Sequence, residues 1–371
     1  MVELASVDDG QRVDDAEKPR LSGLALRAAW AALKAEGSRL RAREVAQRLG
    51  VSEGELIASQ VDGDGARRLR TDGAAIVADL PALGPVMALT RNEHCVHEKI
   101  GPYDNVTVNA AHGLVLGELI DLRLFPSHWR HTFAVTDQTD DGPRRSIQVF
   151  DADGTAVHKI YQKPRTDIAA FDRLIEAWTA ADQSPVLEVA PVAAPAGDRA
   201  DTEIDVERLR AEWTALEDTH EFFGMLRGLE VGRLQALRLA GSSFARRVGT
   251  ETERGALAFV LEAAKQTQTP IMVFVGNPGC IQIHSGPVSN LMRMGPWFNV
   301  MDPSFNLHLR EDAIASAWVV RKPTRDGDVT SLELFDAEGF CFAQLFGVRK
   351  PGKPELEAWR AILAAVDTVE A

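Results

Sequence analysis

Cysteine is scarce in this sequence, and long apolar runs are missing. Its 371 residues include three cysteines, at positions 95, 280 and 341, which are too few and too far apart for a disulfide framework or a CxxC zinc site. No apolar run approaches the roughly 18 to 20 residues that are needed to span a bilayer. The acidic segment from Met1 to Arg20 lacks the basic and apolar regions of a signal peptide. These absences predict a cytoplasmic protein that is not embedded in a membrane.

Two signatures of nucleotide binding are also missing, the glycine-rich dinucleotide fingerprint and the Walker loop. Acidic residues outnumber basic ones by 54 to 41, which gives a net charge of −13. This excess of negative charge disfavours a general role on nucleic acid or on an anionic membrane. We therefore expect no nucleic-acid partner, and an anionic ligand would need a local basic pocket.

An internal repeat is the most informative feature of the sequence. Asn92 opens the segment NEHCVHEKIGPYDNV and Asn277 opens NPGCIQIHSGPVSNL, so that Asn, Cys, Gly, Pro and Asn recur 185 positions apart. The same spacing separates FDADG, which begins at Phe150, from FDAEG, which begins at Phe335. Agreement over this distance indicates a tandem duplication.

The repeat divides the chain into a first copy at residues 21–178, an Ala/Pro-rich linker at 179–205, and a second copy at 206–371. Each copy begins with a helical pattern, continues with β-forming segments and ends with a helix that contains Glu-Ala-Trp. The helical patterns cover 24–48 and 206–240, the β segments include 114–125, 147–150, 315–321 and 331–335, the turns are 140–143 and 325–328, and the closing motifs are 176–178 and 357–359. Helices that flank the strand runs predict an α+β fold, in which two similar halves each carry a large antiparallel sheet flanked by helices.

His220 is the strongest candidate for a metal ligand among the nine histidines. Asp218 is expected to cap a helix, with Glu221 as its capping-box partner, which places His220 in the first turn. There the positive end of the helix dipole disfavours a charged imidazole, and the neutral form is the one that binds iron. The apolar wall expected beside a flat ligand consists of Phe222, Phe223, Met225 and Leu226. The alternative is an exposed histidine at a helix start, without a ligand.

Arg123 and Phe125 share one face of a predicted strand at 116–125, together with Leu119 and Asp121. A guanidinium beside an aromatic ring in an apolar strand is suited to cover a ligand. The alternative for Arg123 is an ion pair at the surface.

A basic cluster lies in the second copy. Lys322 follows a predicted strand, and Gln344 and Phe346 share the face of another strand, which Arg349 follows. Lys322 and Arg349 are suited to offset two carboxylates of a ligand in an otherwise acidic protein. A solvated basic edge is the alternative.

Zinc is a weaker alternative at two histidine pairs. His94 and His97, like His128 and His131, are three residues apart, but no further ligands with recognisable spacing accompany them. Because the cysteines at 95 and 280 occupy equivalent positions in the two copies, we interpret them as small buried core residues.

Four motifs resemble the cytoplasmic hemin-degrading and hemin transport proteins of Gram-negative bacteria. In chain order they are TRNEHCVHE at 90–98, DLRLF at 121–125, DTHEFF at 218–223 and QLFGVR at 344–349. The resemblance extends from about Leu24 to Ala365 and includes the duplication. It implies layered antiparallel sheets with helices, and a haem group held between ligands from both halves.

The resemblance also implies a role for each candidate residue. His220 corresponds to the axial ligand of the haem iron, and Arg123 to an arginine on the opposite side of the haem. The remaining correspondences are aromatic contacts for Phe125 and Phe274, and positions at the propionate edge for Lys322, Gln344, Phe346 and Arg349. Phe346 departs from the family, which often has Tyr there and so gains a hydroxyl donor. The first copy has Tyr161 at the equivalent place, where no haem is expected.

The function implied by the resemblance is oxidative degradation of imported haem with release of iron, with Arg123 and His220 as catalytic residues. An inner-membrane haem importer and an external reductant or reductase are the implied partners. One alternative is a non-enzymatic carrier that delivers haem to a separate haem oxygenase. Another is a duplicated scaffold that binds no haem.

Overall fold

The computed structural model describes residues 21–36, 40–61, 63, 65–191, 197–249, 255–349 and 352–367. The acidic segment 1–20 and residues 192–196 of the expected linker lie outside this range. Within the described residues the helices are α1 (Gly23–Ala35), α2 (Ala42–Leu49), α3 (Glu53–Ala58), α4 (Ile168–Trp178), α5 (Val206–Thr214), α6 (Glu221–Gly228), α7 (Arg233–Ala240), α8 (Ala256–Thr267) and α9 (Glu357–Ala364). None of these helices is long and apolar enough to cross a membrane.

In the described ranges the strands form two antiparallel sheets. In chain order they are β1 (Ala66–Leu69), β2 (Val86–Arg91), β3 (Cys95–Gly101), β4 (Val106–Val108), β5 (Gly113–Leu116), β6 (Asp121–Leu124), β7 (His131–Thr139), β8 (Gly142–Phe150), β9 (Ala156–Gln162), β10 (Ala245–Val248), β11 (Ile271–Asn277), β12 (Cys280–Gly286), β13 (Leu291–Met294), β14 (Trp297–Asp302), β15 (Phe305–Arg310), β16 (Ser316–Lys322), β17 (Val329–Phe335) and β18 (Cys341–Gly347). The first sheet has the order β1-β7-β8-β9-β2-β3-β15-β14-β13, and the second has the order β10-β16-β17-β18-β11-β12-β6-β5-β4.

The two halves exchange strands. Each sheet consists of six described strands from one copy of the repeat and three from the other copy. The exchange joins β3 to β15 in the first sheet and β12 to β6 in the second, at equivalent registers. The expected α+β fold with two similar halves is confirmed, but the sequence repeat does not coincide with the membership of the sheets.

A pair of equivalent asparagines links the sheets. The side chain of Asn92 donates from the β2–β3 turn to the carbonyl oxygens of Gly276 and Phe342, at 3.0 and 2.8 Å. Asn277 donates to the carbonyl oxygens of Arg91 and Val157, at 2.9 and 2.8 Å. Each asparagine also accepts hydrogen bonds from two amides of its own turn. The repeated Asn therefore satisfies backbone groups of the opposite half, which accounts for its presence in both copies.

Helices cover the sheets according to their apolar patterns. Phe171, Leu174, Ile175 and Trp178 form the buried stripe of α4, with the spacing of one helix face. In the second half, α8 and α9 pack on one face of the sheet, and α5, α6 and α7 pack on the other face near β16 and β17. The strands β18, β11, β12 and β6 are less covered on that second face.

Three expected elements differ from the structure. The helical pattern at 24–48 is two helices, α1 and α2. The helical pattern at 206–240 is three helices, α5 to α7, because short turns at 215–220 and 229–232 interrupt it. The expected strand at 116–125 is a hairpin of β5 and β6, with Leu119 in its turn. The expected turns at 140–143 and 325–328 join β7 to β8 and β16 to β17, and both closing helices are confirmed as α4 and α9.

Part of the expected linker packs against the first half. Leu187 is buried among residues of α1, α2 and α3. The amide of Ala190 donates to the carbonyl oxygen of Ala152 at 2.8 Å, and the side chain of Gln183 donates to Arg68. These contacts arise because the Ala/Pro-rich stretch also contains apolar residues that the first half buries.

Candidate functional site

Four of the candidate residues lie on one face of the second sheet. Gln344 on β18 pairs directly with Phe274 on β11, and Phe346 pairs with Met272. Arg123 on β6 pairs with Ile281, which in turn pairs with Gly276 of β11. Directly paired residues of an antiparallel sheet project to the same side. We call the surface formed by Arg123, Phe274, Gln344 and Phe346 the open face.

The open face carries an aromatic pair. The ring centroids of Phe274 and Phe346 are 5.0 Å apart and the rings are inclined at 64°. Both residues are only partly buried, whereas Val273 and Leu345, which point to the other side, belong to the core. Two partly exposed rings in contact form an apolar surface to which a flat aromatic ligand can bind.

Lys322 projects to the same side of the sheet as Phe346, where the helical layer covers it, and does not belong to a solvated edge. Its ammonium donates to Glu333 at 2.8 Å and stands 4.7 Å from the ring centroid of Phe222 and 6.0 Å from that of Phe346. Arg233 donates twice to the same carboxylate, both times at 2.7 Å. The solvated-edge interpretation is therefore wrong for Lys322. Its charge is already balanced inside the protein, because Glu333 lies within reach across the β16–β17 hairpin.

The charges of this buried triad support one another. Burial opposes ionisation of Glu333, but the attraction of Arg233 and Lys322 outweighs it and holds the pKa of the carboxyl well below its usual range. Burial, only partly offset by Glu333, lowers the pKa of Lys322. Since α7 supplies Arg233 and β17 supplies Glu333, the triad fixes the helical layer against the sheet.

His220 lies immediately before α6, not in its first turn. The helix begins at Glu221, and the imidazole of His220 caps no backbone group. The carboxylate of Glu221 accepts hydrogen bonds from the amides of Glu217 and Asp218, so the expected capping box is shifted towards the preceding turn. The side chain of His220 is 89% exposed.

Asp218 orients the imidazole. Its carboxylate lies 2.6 Å from Nδ1 of His220 and also accepts the backbone amide of His220 at 2.8 Å. Those two hydrogen bonds hold the pKa of Asp218 below its ordinary value. A carboxylate can only accept, so Nδ1 carries the proton and the lone pair of Nε2 points away from Asp218. In the described part of the chain Nε2 has no hydrogen-bond partner, an arrangement that is typical of metal-binding histidines.

The expected apolar wall beside His220 is mostly wrong. Phe222, Met225 and Leu226 are buried in the core between α5, α6, α7 and the sheet. Phe223 is 63% exposed, and Arg227 stacks on it with 5.0 Å between guanidinium carbon and ring centroid. Phe222, Met225 and Leu226 share one side of α6 and Phe223 lies on another, so the four residues cannot all face one ligand.

The turn that carries His220 is fixed to the edge of the open face. Arg325, in the β16–β17 hairpin, pairs with the carboxylate of Glu217 and donates its amide to the carbonyl oxygen of the same residue at 3.0 Å. Arg349, which follows β18, approaches Asp326 at 3.9 Å and also contributes to the lowered pKa of Asp218. His220 and Arg349 therefore belong to one corner of the molecule.

Arg123 forms an ion pair, as the alternative interpretation of this residue predicted. Its guanidinium contacts the carboxylate of Asp121 two residues away, and both side chains remain partly exposed. The pair leaves further N–H donors of Arg123 on the open face. Phe125 follows the end of β6 and is anchored through its amide to Gly279 at 3.0 Å. Among the described residues, Phe125 has no ring contact with Phe274 or Phe346.

The histidine pairs do not converge on a metal. His94 lies 3.2 Å from Asp336, whereas His97 is buried against Phe305, because neighbouring strand positions face opposite ways. No group of three or more His, Cys, Asp or Glu side chains suited to a metal occurs in the described ranges. The buried, unbridged thiols of Cys95 and Cys280 confirm their interpretation as core residues.

Three residues of the site escaped the sequence analysis: Asp218 as the partner of His220, and the ion partners Arg233 and Glu333 of Lys322. Strand alternation provides one signal, because Glu333 stands in an apolar strand between Leu332 and Leu334. A carboxylate at such a position requires a buried cation.

Comparison with known proteins identifies the family. A family model described as the haemin-degrading HemS/ChuX domain matches residues 50–178 and again residues 230–366. The chain belongs to this family. The resemblance seen in the four motifs is thereby confirmed, and the double match follows the two copies of the repeat.

Curated relatives of this HemS/ChuX chain are found in Yersinia. The hemin transport protein HmuS of Yersinia pestis is 41% identical over 332 residues, which cover 89% of this chain and 94% of the relative. The hemin transport protein HemS of Yersinia enterocolitica is 41% identical over 335 residues, with 90% and 95% covered.

Solved structures share the fold over nearly the whole chain. Holo-PhuS, a heme-binding protein from Pseudomonas aeruginosa, is 50% identical with a TM-score of 0.89, and the match covers 93% of this chain and 99% of PhuS. ChuS, described as an E. coli heme oxygenase, is 38% identical with a TM-score of 0.82, and 92% and 99% are covered.

Proposed function

We propose that this protein binds haem on the open face, with His220 as the axial iron ligand, and degrades imported haem oxidatively in the cytoplasm. The observation that carries the proposal is the state of His220. Its ring is exposed, Nδ1 is held by Asp218, and Nε2 offers a lone pair. A neutral, oriented imidazole is what haem iron requires as a ligand.

The surrounding residues fit a haem group. Phe274 and Phe346 offer an apolar surface to the macrocycle. Arg349 lies at the His220 side of this surface, Gln344 lies on it opposite Phe274, and both provide donors for propionates. Lys322 borders this surface, because its ammonium lies near the Phe346 ring, and Glu333 balances its charge. The family membership and the names of the relatives support the same ligand.

Each residue has a distinct task in the proposed function. Haem, when bound, supplies an iron centre for redox chemistry. Asp218 keeps the proton on Nδ1 of His220 and fixes the plane of the ring. Arg123 would offer N–H donors from the first half of the chain to negative charge near a bound haem. Electrons come from an external reductant or reductase, and the haem comes from an inner-membrane importer.

A haem carrier without enzymatic activity is the second candidate. The exposure of His220 favours it, because an accessible axial ligand suits the transfer of haem to another protein. The curated relatives carry the name hemin transport protein, whereas ChuS is described as a heme oxygenase. Both candidates use the same residues.

One experiment tests both candidates. Ferric haem is titrated into the protein, and ascorbate and catalase are then added, so that free peroxide cannot degrade the haem. We expect a Soret band that saturates at one haem per chain and then decays with release of a ring-opened tetrapyrrole and iron. A stable Soret band after reduction would support the carrier. No saturable Soret band would contradict haem binding altogether.

Arg123→Ala provides the matched variant for the degradation step. We expect it to bind haem and to degrade it about tenfold more slowly or worse, since preorganised donors typically contribute that much or more. Arg227→Ala, which removes an exposed arginine stacked on Phe223, is the control and is expected to behave as wild type.

A further inference from the structure

The two halves can be compared residue by residue, because equivalent strands occupy equivalent places in the two sheets. The counterparts of Arg123, Phe274, Gln344 and Phe346, 185 positions away, are His308, Leu89, Lys159 and Tyr161. Leu89 pairs with Lys159 as Phe274 pairs with Gln344. We call the surface formed by Leu89, Lys159, Tyr161 and His308 the counterpart face. It has the backbone of the open face with other side chains.

The largest difference in volume lies next to the arginine of the open face. Gly276 and Arg123 both pair with Ile281 and therefore stand in one row across β11, β12 and β6. In the first half, Arg91 and His308 both pair with Val96 and form the equivalent row. Position 276 thus has no side chain, whereas position 91 projects a long guanidinium from the same place.

The backbone at both positions is fixed in the same way. The carbonyl oxygen of Gly276 accepts the side-chain amide of Asn92 at 3.0 Å, and that of Arg91 accepts Asn277 at 2.9 Å. Neither strand can shift at this point without breaking the link between the sheets. A side chain at residue 276 must therefore project over the open face, beside Phe274, where strand alternation directs it.

Arg91 fills the counterpart face. It is partly buried, and its Nε donates to the carbonyl oxygen of Asn92 at 3.2 Å. Burial and the nearby Arg43 lower its pKa to about 10. A second obstruction lies on β9, where Lys159 pairs with Glu53 of α3 in place of the uncharged Gln344. The helical layer of the first half is thereby attached to the strand that stays uncovered in the second half.

We propose that Gly276 determines which of the two faces accepts a flat macrocycle, and that Arg91 excludes it from the first half. The inference rests on the proposed haem binding and adds a specificity-determining position to it. A planar ligand that contacts Phe274 needs van der Waals clearance over the neighbouring residue of the same strand face. Glycine provides that clearance at residue 276, and a guanidinium removes it at residue 91.

The test is a set of substitutions at residue 276. Gly276→Arg copies the first half, Gly276→Leu adds bulk without charge, and Gly276→Ala adds one methyl group. A Cβ at residue 276 lies 3.0 Å from Cγ1 of Ile281, so the Ile281 side chain must shift by a few tenths of an ångström to accommodate it. We expect haem affinity to fall about 30-fold or more for Arg, about tenfold for Leu and less than about threefold for Ala, as overfilling a fitted site predicts.

The readouts are the haem dissociation constant, from Soret titration, and the thermal unfolding midpoint of the apoprotein. The apoprotein midpoint separates loss of the site from loss of the fold, and Gly276→Leu preserves the test if the arginine variant unfolds. Folded Arg and Leu variants that bind haem as tightly as wild type would overturn the inference but leave haem binding intact. A wild type that takes up two haem groups per chain would overturn the role of Arg91. A wild type that binds none would contradict the proposed function itself.

Discussion

The two halves place buried ion pairs at different points under their helical layers. In the first half, Lys159 on β9 pairs with Glu53 of α3. In the second half, Glu333 on β17 pairs with Arg233 of α7 and Lys322 of β16. The second arrangement attaches the helices one strand further from β11 and leaves β18 partly exposed. The buried ion pair lies on β9 in the first half and on β17, one strand further out, in the second half. This shift accompanies the difference between the covered counterpart face and the open face.

The frame of the molecule, by contrast, is the same in both halves. Asn92 and Asn277 make equivalent hydrogen bonds across the sheets, and the exchanged strands β15 and β6 pair at equivalent registers. The duplicated chain has therefore kept the groups that satisfy the backbone and changed the side chains that face outward. Substitutions can test whether the backbone-linking residues are equivalent in the two halves while the outward-facing residues are not.

The largest effect is expected for Glu333→Gln. It leaves the buried Lys322 and the partly buried Arg233 without their carboxylate, and breaking such a pair typically costs about 3–5 kcal/mol in the free energy of unfolding. Glu53→Gln leaves one buried cation, Lys159, and is expected to cost less. Urea unfolding of both variants measures the difference. Equal costs would show that the two ion sets are equivalent, against the comparison made above.

The lowered pKa of Glu333 predicts that the stability of the protein falls in acid. Because the folded pKa of Glu333 is lowered below the value of 4.5 expected for an unfolded chain, its contribution to stability is complete above that value. The contribution is lost as the pH falls through the folded pKa. Unfolding measured from pH 6 downwards should therefore show a steeper loss for wild type than for Glu333→Gln. Parallel curves would contradict the assignment.

The equivalent hydrogen bonds of Asn92 and Asn277 predict equal losses in the free energy of unfolding when either residue is replaced. Asn277→Ala and Asn92→Ala each leave two carbonyl oxygens and two amides without a side-chain partner, which is expected to cost about 2–4 kcal/mol. Asn109→Ala, in an exposed turn, is the control and should cost far less. A difference of more than about 1 kcal/mol between the two buried asparagines would show that the halves are not equivalent in their frame.

The strands, the closing helices and the buried cysteines could be predicted from the sequence, whereas the strand exchange and the ion partners could not. Strand segments, closing helices and the buried cysteines follow from alternation and from the repeat, which are local or symmetrical signals. The exchange of β6 and β15 does not follow, because two copies of one sequence pattern can pair within a half or between halves. The core positions of Phe222, Met225 and Leu226 were missed because their shared helix face was interpreted as a wall beside a ligand instead of as core.

The ion partner of Lys322 was missed for a different reason. Glu333 and Arg233 are 11 and 89 residues away from Lys322, and no spacing rule connects three strand and helix positions at such separations. His220 was found through its motif, although its ring is oriented by the carboxylate of Asp218, which the sequence analysis took only for a helix cap.

The smallest effect is expected for Phe346→Tyr, which restores the residue that the family often has. A hydroxyl that reaches a haem propionate should raise haem affinity about twofold to tenfold, the usual contribution of one hydrogen bond. Tyr161→Phe, the converse change on the counterpart face, should leave haem affinity unchanged. Soret titration of both variants measures this. A fall in affinity for Tyr161→Phe would indicate a haem group in the first half.

The most direct test of the central claim is the ferric-haem absorption spectrum of His220→Ala, with His112→Ala as a control at another exposed histidine. The His220 side chain is 89% exposed, so the apoprotein should unfold at the wild-type temperature. We predict that His220→Ala shifts the Soret band and weakens haem binding about tenfold or more, as loss of an axial ligand requires. A His220→Ala complex with the wild-type spectrum and affinity would contradict the assignment.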